Sequence, residues 1–351
     1  MPALSRPPHP RRRIRLTCVP LVCAVLAAGQ AAAQPGTPAP ATPVAPATPA
    51  RLELQANDHV VLLGNTLADR QQYFNHFETT LLVVFPSLDL TVRNLSRSGD
   101  TMTLQPRPLN FGDAATHLTA QRADVILAFF GLNESFAGEQ GLPDFERDLE
   151  AYVASHRTAR YNGRSAPRLV LVSPIAHETL ARLVHVDVDA RNRELARYTA
   201  AMQRVAARLD VPFADVYTPT LAAMATTPTP LTINGIHLNE HGDRVFAAIL
   251  ATALGLTPDS AALSSKGVTA LRGLVHEKNR LFFLRYRPLN AEYVVGRRLD
   301  PFGSVNFPPE MKQLDEMIAR QERRIWAHAR SVAKGSGATP RPSSSLVRRQ
   351  P

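Results

Sequence analysis

The chain has 351 residues, 44% of them apolar, and a mean hydropathy of -0.13, enough to bury one large core or two modest ones. Its net charge of +10 looks like a nucleic-acid signal, but the five arginines of residues 1–33 and the four basic residues of 334–351 stand without acids, so the remainder carries +1. A nearly neutral body lacks the electrostatic footprint of a nucleic-acid binder. Both cysteines, Cys18 and Cys23, fall within residues 1–33, so a chain without that segment has no disulfide, thiol nucleophile or thiolate metal site.

Residues 1–33 read as an export signal. Arg11, Arg12, Arg13 and Arg15 supply the charged part, residues 16–28 the apolar part, and Ala31-Ala32-Ala33 a small-residue cleavage site. The expected destination is the periplasm or the exterior, with no integral membrane segment left after cleavage, because the apolar run is too short to span a bilayer. Residues 34–50, nearly all Pro, Ala and Thr, read as an extended linker.

Order is expected from about residue 51. Residues 59–63 are an apolar run ending at Gly64, as buried parallel strands read. A single helix is expected over 67–85, with Phe74, Phe77, Leu81 and Val84 at helical spacing. The second strand falls at 90–95 and leads to Ser98-Gly99-Asp100. A helix over 114–122 precedes the most hydrophobic run, 123–130, read as the central strand and ending at Gly131-Leu132-Asn133-Glu134. Then come a helix over 145–156, a strand at 168–172, an amphipathic helix over 189–209, a last strand at 211–216 and a closing helix over 242–254. Strands alternating with helices predict a three-layer α/β/α sandwich around a parallel sheet, flavodoxin-like in type, with ligands bound beyond the carboxyl ends of the strands.

Residues 257–333 differ. Helices are expected over 271–283 and 309–329, and the aromatics Phe282, Phe283, Tyr286 and Tyr293 need a surface to pack on, so the segment reads as a helical appendage docked on the body of 51–256. Residues 334–351, rich in Gly, Ser, Pro and Arg, read as a disordered basic tail.

Chemistry concentrates where strands end. In the stretch 231–242, Asn234 and His237 stand three residues apart in a bend, so both can face one cleft, where an imidazole serves as general base if oriented and faced by a nucleophile. Gly64-Asn65-Thr66-Leu67, Ser98-Gly99-Asp100 and Gly131-Leu132-Asn133-Glu134 supply the other groups. In this order the four blocks resemble those of the SGNH/GDSL hydrolase superfamily, over roughly residues 52–254. The resemblance implies Thr66 as nucleophile, His237 as base, Asn234 as the residue orienting it, and an oxyanion hole made by the backbone N–H groups of Thr66 and Gly99 and the amide of Asn133. No cofactor or metal is implied. The implied substrate is a small-molecule or carbohydrate ester.

Two positions depart from the family pattern. Thr66 replaces serine and Asn234 replaces aspartate, and with the Arg285-Tyr286-Arg287-Pro288 region they set the chain apart from the typical lipases. An amide can orient an imidazole but cannot offset its charge once protonated, a loss on the order of 10⁴ in rate in serine enzymes. The competing reading is a catalytically weak or silent protein that kept the pocket for binding. At single residues, Thr66 also suits a helix cap, and Asn133 a turn cap. Glu134, Asp215 and Asp243 read as structural or solvated acids, His177 as structural near the pocket. Arg285, Arg287, Arg297 and Arg298 read as a solvated or salt-bridged basic face, with sugar or anion binding as the minority view.

Overall fold

A computed structural model describes residues 51–335, and the export segment, the linker and most of the basic tail lie outside the described residues. Five parallel strands form one sheet: β1 (His59–Gly64), β2 (Thr91–Asn94), β3 (Val125–Phe129), β4 (Arg168–Val172) and β5 (Phe213–Ala214). Their order is β2-β1-β3-β4-β5, the flavodoxin-like arrangement that the family resemblance implies. β5 is cut to two residues because Pro212 has no N–H to give the ladder on one side.

Alternation along the strands divides the core in two. Val60, Leu62, Val125, Leu127 and Val170 face one layer, while Val61, Leu63, Ile126, Ala128 and Leu171 face the other. The first layer holds α1 (Thr66–Phe74), α2 (His76–Val84) and α7 (Glu240–Ala253); the second holds α3 (Ala114–Ala120), α4 (Leu142–Thr158) and α5 (Val188–Arg208). α6 (Tyr217–Thr226) follows β5 and has no counterpart in the sequence reading, since Thr and Pro219 mask its periodicity. The helix expected over 67–85 is two helices. Asn75 takes a left-handed conformation (φ 62°), which asparagine tolerates better than most residues, and its N–H still closes onto the Gln71 carbonyl.

The C-terminal helices are α8 (Ser260–Leu263), α9 (Lys266–Tyr286) and α10 (Pro308–Gly335), the last continuing past the expected start of the tail. They contribute to both layers of the core, Leu271 and Val275 to one, Phe282 and Tyr286 to the other. They also cover β2, the outermost strand on that side. Lys278 Nζ, 1% exposed, donates to the Val92 carbonyl (2.9 Å) and pairs with Glu78 (2.8 Å), while Trp326 Nε1 donates to the Leu90 carbonyl (2.8 Å) and Tyr286 Oη to that of Leu95 (3.2 Å). A buried Arg93–Glu322 pair at 2.5 Å completes the seam. Removing one partner of such a buried pair costs about 3–5 kcal/mol, so the seam is specific as well as apolar.

Candidate active site

The first corner is built where β1 ends. Gly64 has φ +145°, and a Cβ there would run into the Phe129 carbonyl of β3, so only glycine lets the two strand ends approach. The Asn65 N–H donates to that carbonyl (3.1 Å), and the Asn65 side chain accepts from the Leu67 N–H (3.1 Å), capping α1. The cap is therefore Asn65, and the capping role considered for Thr66 is corrected. Thr66 is the first residue of α1, half-buried, and its hydroxyl has no hydrogen-bond partner among the described residues. Its N–H is one of the donors that a helix start leaves free.

The next two strand ends close around this corner. The Arg97 N–H donates to the Gly64 carbonyl (3.1 Å), and the Asn94 amide donates to the Ala68 carbonyl (2.6 Å). Ser98 gives both its N–H (3.2 Å) and its hydroxyl (2.5 Å) to Asp69 Oδ2, one helical turn beyond Thr66. Gly99 follows with φ +87°, exposed, with no atom within 4 Å of where a Cβ would stand, and its N–H has no hydrogen-bond partner among the described residues. After β3, the Asn133 amide donates to the Asp100 carbonyl (2.8 Å), which joins the third corner to the second and uses one of its two N–H bonds. Glu134 accepts from the Gly131 and Met102 N–H groups (2.8 and 3.1 Å), and burial pushes its carboxyl above the usual range; it holds loops.

Residues 231–239 form the histidine turn. A Thr232–Leu238 bridge and the Ile233 N–H to His237 carbonyl bond (2.8 Å) close it. Gly235 has φ +94°, and a Cβ there would stand 2.6 Å from His177 Cε1, so His177 packs beneath the turn. The turn is held by Glu178, 4% exposed, which accepts from the Leu231 N–H (2.8 Å), the Thr232 N–H (2.7 Å) and the Thr232 hydroxyl (2.5 Å). It meets α1 twice: Arg70 Nη2 donates to the Leu238 carbonyl (3.1 Å), and Ile236 lines one small cavity with Asn65 and Leu67. Burial first, and then Arg70, lowers the His237 pKa, so the ring is neutral at neutral pH.

Residues 84–245 match the GDSL-like Lipase/Acylhydrolase family. The matched span holds Gly99, Asn133, Asn234 and His237 and begins after Thr66. The α/β body belongs to the SGNH/GDSL hydrolase superfamily. Among solved structures, a gut microbial diltiazem-metabolizing enzyme is 12% identical over 81% of this chain and 97% of its own, with a TM-score of 0.56. An acetylxylan esterase from Geobacillus stearothermophilus is 17% identical over 60% and 100%, with a TM-score of 0.45. An α/β hydrolase from the metagenome of Lake Arreo, Spain, is 21% identical over 57% and 97%, with a TM-score of 0.43. At such identities the likeness is one of fold. No curated protein sequence matches the chain.

Within this GDSL-like site the histidine has an unusual partner. Asn234 Oδ1 accepts the backbone N–H of His237 (3.1 Å), which turns the amide so that Nδ2 faces the ring at 3.0 Å from Nδ1. An NH₂ group can only donate, so Nδ1 accepts and the ring proton sits on Nε2. Among the described residues, no carboxylate bonds the His237 ring. Asp215 accepts from the Thr218 N–H (3.1 Å), and Asp243 lies buried 3.4 Å from the His76 N–H. Nor, among the described residues, do three His, Cys, Asp or Glu side chains gather as a metal site. Sequence reasoning missed Asp69 and Glu178, whose roles come from distant backbone groups. It read Arg287 as part of a solvated or salt-bridged basic face; Arg287 is salt-bridged, 2.9 Å from Asp69, but it is mostly buried beside α1 and not on a solvated face. Arg285 does lie outside, paired with Asp315 (2.9 Å).

Proposed function

We propose that the chain is an exported acylhydrolase acting on small acyl esters, with carbohydrate O-acyl groups as the substrate class. The observation that carries this reading is Thr66: a half-buried hydroxyl without a partner, at a helix start with free N–H groups, beside a turn that offers a neutral imidazole. Thr66 Oγ1 attacks the acyl carbon while its proton passes to His237 Nε2. The carbonyl oxygen gathers negative charge against the N–H groups of Thr66 and Gly99 and the remaining N–H of Asn133. Collapse expels the alcohol, which takes the proton back from His237, and a water activated by the same ring then releases the acid from the threonine ester.

Before Nε2 can accept that proton, the imidazole must carry its other proton on Nδ1. The Asn234 amide then has to turn its oxygen to the ring and give up the bond from the His237 N–H. Turnover is therefore expected to be slow. The same observation favours a second reading, a protein that binds in this pocket without turning its ligand over. Hydrolysis of p-nitrophenyl acetate and of longer p-nitrophenyl esters separates the two. The acylhydrolase reading expects turnover of the acetate, decreasing with chain length and lost in His237→Ala and Thr66→Ala. Background rates for the folded wild type on every ester would leave only the binding reading.

A further inference from the structure

The arginines around Thr66 do not balance. Arg107 grips Asp100 through both terminal nitrogens (2.9 and 2.6 Å), and Arg287 lies 2.9 Å from Asp69, though off the line of a hydrogen bond. Glu134, the other acid nearby, accepts from backbone N–H groups. Among the described residues Arg97 pairs with no carboxylate, and its buried Nε has no hydrogen-bond partner. Its guanidinium lies over the Phe111 ring (4.5 Å) and beside that of Tyr286 (5.6 Å), two aromatics that also pack on each other (5.5 Å). Such rings hold the plane of the group in place; Phe111 supplies no acceptor for its N–H bonds, and Tyr286 supplies one phenol oxygen, too little for five N–H donors.

Burial lowers the Arg97 pKa, with Arg287 and Arg107 acting in the same direction. The fold thus keeps an ordered, partly desolvated cation next to two others. A planar guanidinium with free donors matches a carboxylate or another oxyanion in two parallel hydrogen bonds, most strongly where water is partly excluded. Arg97 adjoins the reacting corner: its guanidinium neighbours that of Arg287, which lies 2.9 Å from Asp69, one helical turn beyond Thr66. The backbone N–H of Arg97 holds the Gly64 carbonyl, two residues before Thr66, and Gly99 follows two residues after Arg97.

We infer that Arg97, set between Phe111 and Tyr286 and flanked by Arg107 and Arg287, is a subsite for a carboxylate on the substrate, which makes the preferred esters those of acidic carbohydrates. The inference rests on the acylhydrolase reading for the reacting end of the molecule, but binding tests it without turnover. Calorimetric titration of the wild-type protein at low salt would compare methyl β-glucuronoside, methyl β-glucoside and sodium sulfate. The glucuronoside is expected to bind at least tenfold more tightly than the glucoside, with the preference collapsing at 0.5 M salt, lost in Arg97→Gln and partly kept in Arg97→Lys. Equal binding of the two glycosides to the wild type overturns the subsite, whether or not the variants fold. So does an unchanged preference in an Arg97→Gln protein with the wild-type circular dichroism spectrum. Sulfate bound through Arg97 without any glucuronoside preference overturns the assignment to acidic carbohydrates. Inert p-nitrophenyl acetate would count against the hydrolase reading alone and leave this titration standing.

Discussion

The two sides of the cleft handle charge in opposite ways. On the side of α1 and the β2 loop, carboxylates meet arginines: Asp69 with Arg287 and Asp100 with Arg107, while among the described residues Arg97 and Arg70 pair with no carboxylate, Arg70 giving a hydrogen bond to the Leu238 carbonyl of the histidine turn. On the histidine side a carboxylate is present, but Glu178 serves the backbone of the turn and the ring has only the Asn234 amide. The position of His237 is therefore fixed more firmly than its proton. The contrast separates two jobs that one aspartate would do together, placing an imidazole and stabilising it once charged. Here Glu178 and Asn234 do the placing, and among the described residues none does the second.

The largest break in this contrast should come from the anchor. Glu178→Ala strips acceptors from two buried N–H groups and a hydroxyl, each worth about 1–3 kcal/mol when left unpaired. A loss of about 3 kcal/mol is expected in urea unfolding at pH 7, together with loss of any esterase activity, whereas Glu178→Gln, whose one amide oxygen can still accept from both Thr232 donors, should lose less.

Asn234→Asp sharpens the comparison from the other side. A carboxylate can accept the His237 N–H with one oxygen and Nδ1–H with the other, fixing the productive tautomer and offsetting the imidazolium. Turnover of p-nitrophenyl acetate should rise about 10- to 100-fold, a fraction of the ~10⁴ that the reverse change costs serine enzymes. The histidine pKa should rise too, so the acidic limb of the pH–rate profile should move to higher pH. Thr66→Ser should add to turnover by relieving crowding, and the double variant should differ from the product of the singles because the groups act as a unit. A folded Asn234→Asp protein with no gain would show that the missing charge is not what limits the site.

A pH-dependent effect on stability concerns Asp243, whose carboxyl burial pushes up to about 7, against the opposing pull of the His76 N–H, Gln71, Arg272 and Arg70. A folded pKa above the unfolded 3.8 means that the neutral acid is favoured in the fold; its contribution is full below pH 4 and lost as pH rises through 7. Asp243→Asn should be close to the wild type at pH 4 and exceed it by on the order of 4 kcal/mol at pH 8. Gln71 Oε1, buried without a partner, would gain an amide donor. His76, lowered to about 4 mainly by burial, cancels in the difference between the two proteins. Thermal melts at the two pH values check this.

The sheet was readable because apolar runs at β1, β3 and β4 each end in a small or polar turn, and the alternation with helices makes it parallel; the 2-1-3-4-5 order comes from the structure. What escaped had no local signature. Asn75 breaks 67–85 without Gly or Pro, in a conformation stabilised by His276 (3.1 Å) and Asn279 (2.6 Å) from two hundred residues away. Asn65 and Thr66 are adjacent good caps, and only the geometry of the strand end chooses between them. Arg287 reads as surface because Asp69 is 218 positions earlier. Asn234 stood out in the sequence as a substitution, but the direction of its amide is set by the backbone N–H of His237, which no motif records.

The cover over β2 has a consequence for the life of the protein in solution. Val92, Leu90 and Leu95 offer their carbonyls to side chains of α9 and α10, and a chain that lost these helices would present an open apolar strand edge with Asp69 and Glu78 stripped of Arg287 and Lys278. Such an edge pairs with the next strand it meets. Proteolytic trimming after residue 256 should therefore yield aggregates that bind thioflavin rather than a smaller hydrolase, and the helices after that point act as the molecule's guard against polymerising with its own copies.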